Sequence, residues 1–164
     1  AQVITASKDR TAKLWDAEFG ECIRTVTEEG WKIRSVDLSR EGELFNTASH
    51  HIKLWNATSG VCYVFRQHRR RRYLAARFSP DGSLLLTKNG DSRGELWSAD
   101  TGEHLHTLGE KIKCAAFSPD GALVVAIGHN NTAAIWSVKS GKCVHKFAPE
   151  EAEIHCAVLS PPIP

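Results

Sequence analysis

Five cysteines and eight histidines are the side chains of this sequence best suited to ligate a metal or to act as nucleophile and base. Their spacing argues against both. Cys22, Cys62, Cys114, Cys143 and Cys156 form no pair with the separation of zinc ligands. His104, His106, His145 and His155 share no metal-ligand spacing with acids or cysteines, and His50-His51 and His129 fall where surface turns are expected. No Ser–His–Asp order, H-E-x-x-H or phosphate-cradling glycine loop occurs. Neither a catalytic centre nor a metal or cofactor site is expected. One cluster stands out: Arg66-Gln67-His68-Arg69-Arg70-Arg71-Arg72-Tyr73 holds five arginines in eight residues. Guanidinium groups at that density repel one another and engage carboxylate or phosphate bidentately. The alternative is a solvated charged loop.

What must position these residues is a repeat of about forty positions, sought before any local pattern. Trp15, Trp55, Trp97 and Trp136 are spaced by 40, 42 and 39 residues, within TAKLWDAEFGEC, HIKLWNATSGVC, RGELWSADTGEH and TAAIWSVKSGKC. A glycine follows each five residues later, at Gly20, Gly60, Gly102 and Gly141. Between these blocks lie RSVDLSREGELFNTAS, LAARFSPDGSLLLTKN and CAAFSPDGALVVAIG, and a truncated copy, IHCAVLSPPIP, follows the last. The phase explains most cysteines. Cys22, Cys62 and Cys143 each lie seven residues after their Trp, and Cys114 and Cys156 share a small-residue slot four before the repeat Ser. Buried free Cys as a small hydrophobe is the expectation.

Each period reads as four strands. KIRSVDL, YLAARF, KIKCAAF and EIHCAVL are apolar runs of first-strand length, and Ser-Pro-Asp-Gly at 79–82 and 118–121 is turn chemistry. GELFNTA, SLLLT and ALVVAI follow as second strands, the Trp segments as third, and ECIRTV, VCYVF, EHLHTL and KCVHKF as fourth. Strands at this spacing with no helical apolar period predict an all-β architecture. Three strands before Gly30, three sets of four and a final first-type strand give sixteen.

These features, with the segment SKDRTAKLWD and the fourfold Trp spacing, resemble the WD-repeat (WD40) β-propeller family over essentially the whole chain. The resemblance implies about four blades of four antiparallel strands, part of a larger ring. Expected segments are a partial blade at 1–29, blades at 30–68, 69–109 and 110–148, and the first strand of another at 149–164. The family usually carries Gly-His before the first strand, Asp in the turn between second and third, and Trp-Asp in the third. Here only Trp15-Asp16 is Trp-Asp, the turn Asp persists as Asp9 and Asp91, and Gln67-His68 is the nearest relic of Gly-His. The buried His–Ser–Asp–Trp network that the resemblance implies is therefore incomplete in every copy. Trp15, Trp55, Trp97, Trp136, Asp9 and Asp91 are expected to be structural.

In such propellers the link between blades opens on the narrower face, the usual partner face. That places Arg66, His68 and Arg69 to Arg72 as candidate binding residues, with Trp31, the one Trp the repeat does not require, beside them. Trp31 could equally cover the top of its blade. Glu28-Glu29, one link earlier, could offset the arginines. The favoured function is a non-catalytic scaffold for other protein subunits, docking an acidic protein surface or a phosphate-bearing ligand. Alternatives are nucleic-acid or phosphoinositide binding through the arginine loop, or the sensor array of a larger signalling ATPase. The net charge of +2 supplies no broad basic face for nucleic acid. With 41% hydrophobic and 24% charged residues and no long apolar run, neither a disordered tail nor a membrane span is expected. Scattered free thiols point to an intracellular, cytoplasmic setting. The absence of any Met suggests a segment of a longer chain.

Overall fold

The computed structural model describes residues 1–67, 72–109, 111–148 and 153–161. Fifteen strands run through them, and no helix is present among the described residues. Sheet I contains β1 (Gln2–Ala6), β2 (Thr11–Asp16) and β3 (Cys22–Thr27). Sheet II contains β4 (Ser35–Leu38), β5 (Leu44–Ala48), β6 (His51–Asn56) and β7 (Cys62–Gln67). Sheet III is built of β8 (Tyr73–Phe78), β9 (Leu84–Asn89), β10 (Gly94–Ser98) and β11 (His104–Thr107). Sheet IV is built of β12 (Ile112–Phe117), β13 (Leu123–Gly128), β14 (Ala133–Ser137) and β15 (Cys143–Phe147). Every sheet is an antiparallel meander in chain order. The sixteenth strand is not formed: residues 153–161 carry no regular secondary structure. In sheets II to IV the first strand pairs with the second strand that follows it, and no such partner follows residue 153 among the described residues.

Turn chemistry closes the hairpins. In the turns after β8 and β12, Ser79 and Ser118 accept from the backbone N–H of Leu84 and Leu123 at 2.9 Å each, and their hydroxyls donate to Asp81 and Asp120 at 2.5 Å. The glycine that ends each turn, Gly82 or Gly121, sits at φ 77° or 74°, a left-handed conformation that a side chain would strain. In three copies the turn between second and third strands contains a left-handed non-glycine residue at one equivalent position: Arg10, Ser92 and Asn131. The second copy, shortened to Ser49-His50-His51, lacks it.

Sheets pack face to face through alternating apolar residues. Leu14, Val26, Ile33, Phe45 and Ala57 fill the I–II interface. Ile52, Leu54, Tyr73, Ala76, Leu85 and Trp97 fill II–III, and Leu86, Leu96, Leu108 and Val124 fill III–IV. Each fully buried large aliphatic or Phe among these contributes about 1.5–3 kcal/mol relative to exposure.

Candidate functional site

The four repeat tryptophans stand at one register position. Their partners across the strand are Val3, Phe45, Leu85 and Val124. Two residues along the neighbouring strand, Thr5, Thr47 and Thr87 accept the indole N–H at 2.8, 3.1 and 2.9 Å. The fourth copy has Ala126 there, which has no side-chain oxygen to offer. Trp97 is buried, whereas Trp15, Trp55 and Trp136 are half-buried, so the four are equivalent in register but not in burial. Asp9 accepts from the backbone N–H of Thr11 at 2.9 Å and from its hydroxyl at 2.7 Å, bonds that hold its carboxyl below the usual carboxylate range. In the third copy that turn is held by Asn89, which accepts from Asp91 and Arg93 N–H at 3.0 and 3.1 Å.

The second copy holds a network that residue types alone do not reveal. Glu28 lies in the link between sheets I and II, at 1% exposure. Its Oε1 accepts from Thr47 at 2.6 Å, and its Oε2 pairs with Lys53 Nζ at 3.0 Å. Thr47 in turn accepts from Trp55. A continuous path thus runs from Trp55 through Thr47 to Glu28 and Lys53. The Lys53 ammonium also lies 5.7 Å from the Trp55 ring centroid. The network expected to be incomplete in every copy is here rebuilt around a carboxylate. This corrects the expectation that Glu28 offsets the arginine link, since both of its oxygens are engaged inside sheet II. His51 flanks the same network, and burial pushes its imidazole below its usual value against the opposing pull of Glu28.

The link that carries the arginines emerges beside this network. His68 and residues 69–71 lie outside the described residues, and of Arg66 the backbone, paired with Ile52, is described. Arg72 is exposed and its carbonyl accepts from Gly90 N–H at 2.7 Å, while Tyr73 N–H donates to Ser49 at 2.8 Å. The end of the link is therefore clamped between two second-to-third-strand turns, 49–51 of sheet II and 89–93 of sheet III. Trp31 joins the same end of sheet II. Its ring packs on His50 with centroids 3.8 Å apart, and the residue remains 50% exposed. It therefore covers the top of its sheet and still offers surface.

None of the five cysteines is buried, contrary to expectation. Cys22 and Cys156 are exposed, the other three intermediate, and all are free thiols. Cys22 lies on β3, the edge strand of sheet I, which accounts for its exposure. Among the described residues no group of three or more His, Cys, Asp or Glu could hold a metal ion, and no helix is long and apolar enough to cross a membrane.

Comparison with known proteins agrees with this architecture. Residues 107–159 match the family described as the anaphase-promoting complex subunit 4 WD40 domain. Nuclear distribution protein nudF of Aspergillus flavus is 30% identical over 107 residues, covering 62% of this chain and 24% of that protein. Eukaryotic translation initiation factor 3 subunit I of Kluyveromyces lactis is 36% identical over 86 residues, 51% of this chain and 24% of the relative. The LST8 homolog of Drosophila melanogaster is 29% identical over 108 residues, 60% and 34% respectively. The chain spans about a quarter of the length of the first two of these relatives. With Trp register, serine-capped turns and antiparallel meander sheets all in the repeat's phase, the chain is similar in sequence and architecture to WD-repeat β-propeller proteins.

Proposed function

We propose that the chain is a non-catalytic interaction scaffold, a stretch of WD-repeat propeller that works inside a multi-subunit assembly. It docks a partner through the link Arg66 to Arg72, with His68 among those residues, together with Trp31. One observation carries the reading. Trp31, His50 and Arg72, where the arginine link ends, share one end of sheets II and III, so an exposed Trp stands at the end of the sheets from which that link runs. Trp and Arg are the side chains most enriched at binding hot spots. Two names among the similar proteins are those of complex subunits, which supports an assembly role. The sign of the partner is part of the proposal: it presents carboxylates or phosphates, which arginine engages bidentately. Five free thiols favour a reducing, intracellular setting.

The test is a full-length protein in which Arg69, Arg70, Arg71 and Arg72 are all replaced by Ser. Co-purification of its assembly from cells should fall by at least about tenfold, the scale of a few lost charge-assisted bonds. The melting temperature should move little, because exposed charges contribute about 0–1 kcal/mol each to stability. Undiminished association assigns the link to solvent instead.

A further inference from the structure

Of the three sheet-to-sheet junctions, built from one repeat, two are closed by a side chain of the outer strand at the end that carries the turn between third and fourth strands. At I–II, Arg24 of β3 reaches across: its Nε donates to the Ala57 carbonyl at 3.0 Å and an Nη to the Thr58 carbonyl at 2.5 Å. The guanidinium lies so close that a Cβ on Gly60 would collide with it. At III–IV, His106 of β11 takes the same role, its Nε2 at 3.3 Å from the Lys139 carbonyl.

The II–III junction is different. Leu14 faces Arg24, Leu96 faces His106, and Leu54 faces Tyr63. Sheet II carries its bulge later in the outer strand, between the partners of Ile52 and Lys53 rather than beside Trp55. The slip puts Tyr63, rather than an arginine or a histidine, at the stapling position. The Ala99 and Asp100 carbonyls, counterparts of those of Ala57 and Thr58, receive no hydrogen bond from any described residue. A groove of about 580 Å³ remains, floored by Leu44 and Leu54, flanked by Tyr63 and closed by Ala99 and Asp100. Tyr63 is 59% exposed.

We propose that this groove binds an arginine side chain carried by a partner protein. The chain itself shows the chemistry, because Arg24 makes the corresponding contacts at I–II. The incoming guanidinium donates to the Ala99 and Asp100 carbonyls, the carboxylate of Asp100 supplies opposite charge, and its stem lies along Leu54 and the Tyr63 ring, whose face attracts a cation. Arginine rather than lysine is specified, since two adjacent carbonyls match a planar fork. The groove lies at the opposite end of the sheets from the arginine link, so its failure and that of the docking link are read separately.

The probe is a fluorescein-labelled Gly-Ala-Arg-Ala-Gly peptide, titrated with the full chain and followed by anisotropy. Replacing its arginine by norleucine or lysine should weaken binding about tenfold, the scale of one charge-assisted hydrogen bond. The variant Tyr63→Arg should fill the groove from within, as Arg24 does next door, and abolish binding. If Tyr63→Arg does not fold, Asp100→Lys, at an exposed turn position, should weaken binding at least about tenfold by like-charge repulsion. Equal affinity for the norleucine or lysine peptide, or unchanged affinity in the folded variants, overturns the proposal.

Discussion

Glu28 shows how a single residue can replace a motif. The repeat's third-strand Trp needs an acceptor, and Thr47 supplies one only if its own hydroxyl proton is directed elsewhere. Glu28 receives that proton at 2.6 Å, and its other oxygen is neutralised by Lys53 at 3.0 Å. A carboxylate buried to 1% exposure without such partners would cost several kcal/mol. Glu28→Gln should therefore destabilise the chain by about 3 kcal/mol, because Lys53 is left half-buried without its counter-charge. Lys53→Met should cost a similar amount. The double variant should cost clearly less than the sum, since the two groups act as one pair. Denaturant titration of the four proteins measures this coupling, and strictly additive losses would show that the pair contributes nothing as a pair. Trp97 is stabilised differently: it is buried, donates to Thr87 and packs edge-on against His104 at 4.7 Å.

At the scale of elements, hairpins are decided by their turns. Gly82 combines a φ of 77° with open space where a Cβ would stand, the nearest atom being Ser39 Cβ at 3.9 Å. A substitution there tests backbone strain alone. Gly82→Ala should cost about 1–2 kcal/mol, the penalty of a left-handed conformation for an L-residue. A thermal melt lowered by less than about a degree would mean that the turn relaxes to another type. Such turns are legible in the sequence, because Ser, Pro, Asp and Gly each have one mechanical role in them. Strand order and Trp phase are legible for the same reason, since repetition averages out local ambiguity. Three features are not. The Glu28–Lys53 pair joins residues on different elements, and a lone Glu in a link carries no spacing signal. The bulge that brings Tyr63 opposite Leu54 changes register without changing residue types. Repeat phase places the cysteines on their strands, but it does not say whether a neighbouring sheet covers them.

The whole molecule is a stack of four sheets in which only the inner pair is covered on both faces by described residues. β1 shows the consequence: it is exposed at four of five positions, whereas its counterpart β5 is buried at four of five. Among the described residues no strand pairs with the outer hydrogen-bonding edge of β1, since sheet I is three-stranded in the order β1-β2-β3. Large apolar side chains are exposed on the two end sheets, among them Val3 in sheet I and Phe147 in sheet IV, and Val158 follows at 86% exposure. An unpaired edge and uncovered apolar residues both lower the free energy of self-association. The 164-residue chain, taken alone, should therefore associate: its weight-average mass by sedimentation velocity should rise between about ten and about a hundred micromolar, where exposed apolar edges drive aggregation. Val3→Lys together with Phe147→Lys should suppress that rise, because charges on an edge and on an apolar face oppose stacking. Neither residue contributes to the buried inter-sheet clusters, so the melt of each sheet pair should change little. A monodisperse monomer with one cooperative melt across that range would show that the end sheets are self-sufficient, and that the stack needs no covering surface to be stable.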